Sequence, residues 1–223
     1  MADCRDIALP EGLSFVRDGQ GLGLAQADMV LRGDFAQLMP RLRADRLGRE
    51  LLVRAARVRG VDAPVAVDAT AGLGEDSLLL AAAGFSVTLF ERDPAIAALL
   101  ADALRRAANE PQLRDIVSRM RLVEGDAVEG LVRLDAQPDV VYLDPMFPAK
   151  RKDAATKKKL QVFQLLERPC DNEEELLAAA CAAHPRKVVV KRPLKGPYLA
   201  GAKPSSSISG KVVRYDIYVP TMS

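Results

Sequence analysis

The sequence predicts an α/β protein: a mainly parallel sheet closed by a C-terminal antiparallel hairpin strand, behind a small N-terminal hairpin and helical region. Three observations predict it. Short apolar runs alternate with segments of helical periodicity from Pro64 to Val190. One of those runs, VVYL at 140–143, is apolar throughout, as a strand covered on both faces should be. The closing stretch SSSISGKVVRYDIYV reads as two strands turning at Gly210-Lys211, which puts one antiparallel strand into the sheet.

Taken in order, residues 12–17 and 21–30 read as two strands around the turn DGQG. Residues 34–59 carry apolar positions at helical spacing with many arginines, interrupted near Pro40 and Gly48. The strand 65–67 ends at Asp68, and a helix over 76–83 stops at Gly84. The strand 86–90 follows, then Asp93 and Pro94 supply the cap and first residue of a helix over 95–107. A strand at 121–123, a short helix near 128–134 and the strand 140–143 come next. Helices over 157–166 and 173–183 precede the strand 187–190. The expected division is a small extension over residues 1–60 and a main domain over 61–223.

With 223 residues, 49% hydrophobic and 28% charged, the chain has the profile of a globular protein with one good core. No apolar run approaches the ~20 residues of a membrane span, and the N-terminus lacks a signal-peptide pattern. Cys4, Cys170 and Cys181 show no C-x-x-C spacing, and there is a single His184, so no metal site is expected. A cytoplasmic monomer is the expectation. Charge is unevenly spread: residues 61–144 hold 7 Lys/Arg against 15 Asp/Glu, whereas 145–223 hold 15 against 7. An acidic middle followed by a basic end implies two partners of different charge.

In a parallel sheet the ligand lies beyond the C-terminal strand ends. The polar residues there are Asp68, Glu91, Asp126 and Asp144. DATAGLGED, at 68–76, is a glycine-rich strand-to-helix loop in which Gly72 and Gly74 allow close backbone approach. Its Glu75 and Asp76 would repel a pyrophosphate but tolerate an ammonium group, which disfavours a dinucleotide. Glu91 can accept both hydroxyls of an adenosine ribose, beside Arg92. Asp126 can receive an adenine amino group, with Ala127 next to it, or cap the following helix; one residue can do both.

DPMFP, at 144–148, leaves the fourth strand with a carboxylate, two prolines and an aromatic ring. A base amino group is a poor nucleophile because its lone pair is delocalised into the ring. Two acceptors for its hydrogens favour a pyramidal nitrogen. Asp144 and the Pro145 carbonyl can supply them, and Phe147 can stack on an extruded base. Orientation and desolvation would then carry the rate. The adjacent cations Lys150, Arg151, Lys152, Lys157 and Lys158, with Lys191 and Arg192 on a later strand, suit contacts to phosphates.

DATAGLGED, LFERD, VVYLDPMFP, KRK, KKKLQVFQLL, VVVKRP and RYDIYV together resemble the ribosomal RNA small subunit methyltransferase J family. The resemblance runs from about residue 40 to the end. It departs at RADRLGRE, where the family's G-G-G-R-G-E survives only as Gly48, Arg49 and Glu50. It implies a seven-stranded Rossmann-like fold and S-adenosyl-L-methionine as cofactor. It also implies transfer of a methyl group to N2 of one guanosine of 16S rRNA, with the small ribosomal subunit as partner. Glu75, Asp76, Glu91, Arg92, Asp126, Ala127 and Asp144 would then contact the cofactor. The competing expectations are an amino-methyltransferase for another base, such as adenine N6, and a non-catalytic RNA-binding assembly factor.

Overall fold

The computed structural model describes residues 7–145 and 172–220. Among these residues ten strands form two sheets. The first is a small antiparallel sheet of β1 (Leu13–Asp18), β2 (Gly21–Gln26) and β3 (Met29–Leu31). The second has seven strands: β4 (Val65–Asp68), β5 (Ser86–Glu91), β6 (Met120–Glu124), β7 (Val140–Leu143), β8 (Lys187–Pro193), β9 (Ser206–Ser209) and β10 (Val213–Tyr218). Their order is β6-β5-β4-β7-β8-β10-β9. The first five pair in parallel, and β10 runs antiparallel to both β8 and β9, as the closing hairpin predicts. Outward from β4 the chain order reverses between β5 and β7, so the ligand crevice of such a sheet falls at the ends of β4 and β7.

The helices are α1 (Met39–Leu42), α2 (Ala44–Leu47), α3 (Leu51–Ala56), α4 (Glu75–Ala82), α5 (Pro94–Ala107), α6 (Arg114–Val117), α7 (Ala127–Val132) and α8 (Glu173–Ala182). The predicted α5 cap is present: Asp93 accepts from the N–H groups of Ala95 and Ile96, with Pro94 at the first helical position. The segment expected as one interrupted helix over 34–59 is a 3-10 turn at Phe35–Leu38 and three short helices. Pro40 starts the first of these, and Gly48 closes the second. The expected helix over 157–166 lies outside the described residues.

Two apolar layers sandwich the main sheet. Leu78, Leu80, Val87, Leu89, Leu100, Val140, Tyr142, Val189 and Tyr215 pack with α3, α4 and α5 on one face. On the other, Phe90, Leu131, Val141, Leu143, Leu177, Val188 and Val190 pack with α7 and α8. Adjacent residues of a strand point to opposite faces, so β7 and β8 must be apolar on both.

The small sheet docks on α5 through Leu13, Leu22, Leu24 and Leu31 against Ile96 and Leu99. Asp102 of α5 clasps the two together. It accepts from Arg17 Nη1 at 3.0 Å, the Leu22 N–H at 3.0 Å, Arg105 Nη2 at 2.6 Å and Arg106 Nε at 2.8 Å. Desolvation alone would raise this carboxyl, but the Arg106, Leu22, Arg105 and Arg17 bonds outweigh it and hold the group well below the carboxylate range. Gly21 makes the approach possible. A Cβ there would stand 2.5 Å from Asp102 Oδ2, and its φ of +103 suits glycine.

Candidate active site

The C-terminal ends of β4, β5, β6 and β7 open onto one cleft, where a sheet of this kind takes its ligand. Thr70, Glu91, Asp126, Asp144 and Pro145 line it with the apolar Phe90, Ala127, Val128 and Leu176. Arg92 also reaches the lining.

Of the four strand-end acids, three face this space and the fourth lies beneath it. Asp68 is buried at 1% exposure and accepts from the Thr70 N–H at 3.1 Å and the Ser77 hydroxyl at 2.6 Å. Burial pushes its carboxyl up to about 7, against those two bonds. Both of its oxygens are thus used to fold the glycine loop.

In that loop Gly72 has φ +52, and a Cβ on it would meet nothing within 4 Å. Gly74, at φ +76, is the N-terminal cap of α4, where a Cβ would come within 2.7 Å of Leu100 Cδ1. Glu91 ties the loop to the next strand. Its carboxylate accepts from the Gly72 N–H and the Asp93 N–H, each at 2.8 Å. Asp126 caps α7 by accepting from the Val128 N–H at 2.7 Å and also lines the cleft, so both readings of that residue have a place.

Asp144 stands just past β7. Its N–H donates to Thr70 Oγ1 at 2.6 Å, which fixes the chain as it leaves the strand. Its carboxylate accepts from Lys191 Nζ at 2.8 Å, and the same ammonium donates to Asp76 Oδ2 at 2.7 Å. The Tyr142 hydroxyl donates to Asp76 Oδ2 at 2.6 Å. Desolvation raises the Asp144 carboxyl, Lys191 opposes that, and the like charge of Asp76 adds to it; the net direction is up. Burial alone would lower Lys191, but Asp76 and Asp144 raise it, so it is protonated. Glu75 is exposed at the start of α4.

Two residues expected on RNA phosphates are used elsewhere. Lys191 is held between Asp76 and Asp144. Arg192, with a fully buried side chain, donates to the Pro197 carbonyl at 2.8 Å and to Glu173 at 3.3 Å. Glu173 in turn accepts from the Ala200 N–H, so this pair fastens the start of α8 beside the cleft. Successive residues of β8 face opposite sides, which sends Lys191 to the Tyr215 face and Arg192 to the α8 face. The other expected contacts, Phe147, Lys150, Arg151, Lys152, Lys157 and Lys158, lie outside the described residues.

Thr70, Phe90 and the Lys191 bridge were not singled out from the sequence as cleft or site-building features. Thr70 had a readable signal, a hydroxyl two residues past a strand-end acid and inside a glycine loop. The Lys191 bridge had none, because it joins residues 115 and 47 positions apart. Among the described residues no group of three or more His, Cys, Asp or Glu side chains could hold a metal ion, and no helix is long and apolar enough to cross a membrane.

A family model described as "Putative SAM-dependent methyltransferase" matches residues 15–220. Ribosomal RNA small subunit methyltransferase J of Thioalkalivibrio sulfidiphilus is 45% identical over 215 residues, covering 93% of this chain and 84% of the relative. The protein of the same name from Neisseria meningitidis is 43% identical over 190 residues, covering 84% and 75%. This chain belongs to the ribosomal RNA small subunit methyltransferase J family. A crystal structure of a SAM-dependent methyltransferase from Neisseria gonorrhoeae superposes with a TM-score of 0.77 at 35% identity, over 97% of this chain and 86% of that one. An rRNA methyltransferase from Streptomyces viridochromogenes shares the fold, with a TM-score of 0.52 at 18% identity.

The family's cofactor is S-adenosyl-L-methionine, and the cleft fits it. An adenosine needs acceptors for ribose hydroxyls and an adenine amino group, an apolar wall and an open backbone approach. Glu91, Asp126, the wall of Phe90, Ala127 and Leu176, and Gly72 are the residues present for these needs.

Proposed function

We propose that the protein methylates the exocyclic N2 amino group of one guanosine in 16S rRNA of the small ribosomal subunit. The observation that carries this is the placement of Asp144 and Pro145 at the mouth of the cleft. There the main chain is pinned by Thr70, and one carboxylate oxygen is held by Lys191. The names of the relatives supply the RNA.

Glu91 and Asp126 hold the adenosyl part of the cofactor, with Gly72, Gly74 and Ala127 shaping its bed and Arg92 at its edge. Asp68 builds the loop from below; Glu75 and Asp76 set the charge at the head of α4. When bound, S-adenosyl-L-methionine supplies an electrophilic methyl group. Asp144 and the Pro145 carbonyl accept the two hydrogens of the guanine amino group, turning the nitrogen lone pair out of conjugation. Phe147 stacks on the extruded base. As the amino nitrogen takes the methyl group, the methyl–sulfur bond would break to leave a neutral thioether, and the four-bonded nitrogen would give one of its two hydrogens as a proton to the Asp144 carboxylate. Phosphate contacts from Lys150, Arg151, Lys152, Lys157 and Lys158 set the register of the RNA.

The test is transfer of labelled methyl to undermodified small subunits, followed by nucleoside analysis. N2-methylguanosine at a single site is the expected product. N6-methyladenosine, or no transfer despite cofactor binding, would overturn the substrate reading.

A further inference from the structure

We propose that Lys191 is a positioning residue for Asp144: its ammonium, clamped between Asp144 and Asp76, fixes the Asp144 carboxylate by one oxygen and leaves the other to accept a hydrogen. The inference deepens the amino-methylation reading and rests on it.

The geometry is specific. Lys191 Nζ lies 2.8 Å from Asp144 Oδ2 and 2.7 Å from Asp76 Oδ2. Among the described residues no donor is bonded to Asp144 Oδ1. The clamp is itself supported: β8 pairs directly with β7 and places Lys191 opposite Tyr215 of β10, while Tyr142 of β7 donates to Asp76. A flexible, partly buried ammonium has no structural need to bridge two acids where β7 ends at the cleft. A carboxylate that must stay ionised and oriented beside two neighbouring acids does need a fixed cation.

The groups facing Asp144 come from four strands and a helix. Lys191 and Arg192 on β8 favour its ionised form. Asp76 on α4 and Asp68 on β4 disfavour it. Tyr142 on β7 and Tyr215 on β10 are held as neutral phenols by burial and by these acids. Lys191 is the only cation among them bonded to Asp144 among the described residues.

The direct test is a carbon-13 carboxyl titration of the protein without substrate, with the Asp144 signal assigned by its loss in Asp144→Asn. Lys191→Met should move the Asp144 midpoint up by about one pH unit or more, and Lys191→Arg should move it far less. Asp76→Asn should move it down, because a like charge is removed. That opposite sign keeps the test valid if Lys191→Met does not fold. In methyl transfer, Lys191→Met should lower kcat about 100-fold at neutral pH, with KM for the cofactor within about threefold, and shift the acid limb of the pH profile upward. An unmoved Asp144 midpoint in either the Lys191→Met or the Asp76→Asn variant, or a kcat within twofold of normal, would overturn the clamp. If the midpoints move as stated and the unaltered protein methylates no RNA, the substrate reading fails and the clamp stands.

Discussion

Asp102 and Asp144 are both aspartates bonded to cations, and they end in opposite states. At Asp102 donors outnumber acceptors: three guanidinium groups and one backbone N–H converge on a single carboxylate. It is saturated, firmly ionised and fastened between α5 and the small sheet. At Asp144 acceptors outnumber donors: one ammonium is divided between two acids, with buried Asp68 behind them. Its proton affinity is raised, and one oxygen has no donor among the described residues. A surplus of donors makes a clasp. A surplus of acceptors makes a carboxylate able to receive a hydrogen from something else.

The contrast can be broken at either end. The largest stability effect belongs to the clasp: Asp102→Ala should cost about 2 kcal/mol by leaving the buried Leu22 N–H and the half-buried Arg106 Nε without their acceptor. The sign with pH is fixed. A carboxyl lowered on folding contributes above its unfolded value near 4, and that contribution is lost as pH falls through the folded value. Thermal unfolding should therefore show the deficit of Asp102→Ala at pH 7 and its narrowing in acid.

Asp68 has the opposite sign. Raised to about 7, it binds more protons folded than unfolded between about pH 4 and 7, so stability falls with rising pH there by up to roughly 1.4 kcal/mol per unit. Asp68→Asn can keep both bonds, accepting from Thr70 and donating to Ser77, and should flatten that slope in denaturant titrations. A slope unchanged by the substitution would place the titrating group elsewhere.

The smallest effect sharpens the double duty of Asp126. Asp126→Ala should cost about 1 kcal/mol as a lost helix cap and weaken cofactor binding about tenfold in calorimetry. Loss of stability with unchanged affinity would make it a cap alone.

Much of the main sheet is legible in the sequence because fully apolar runs such as VVYL fit only strands covered on both sides. Strand-end acids can be placed on the same ground, since the sheet fixes where they emerge. The third strand of the small sheet was not separable from the second, because the chain turns at Ala27 with φ +51, a conformation that alanine does not advertise. Nor could VVVKRP say where its cations go. Strand alternation sends Lys191 and Arg192 to opposite faces, and only pairing with β10 and the approach of α4 and α8 turns one into a clamp and the other into a buried clip. Adjacent cations read along the chain as one basic patch, which is why both were expected on phosphate.

The roles of the two aspartates separate in the single-turnover rate of methyl transfer to undermodified small subunits for Asp144→Ala and Asp102→Ala, measured side by side where both are folded. Asp144→Ala should lose about 1,000-fold with cofactor binding retained, and Asp102→Ala should stay within about threefold of the normal rate. A near-normal rate for Asp144→Ala, or an equal loss in both, would contradict that division of roles.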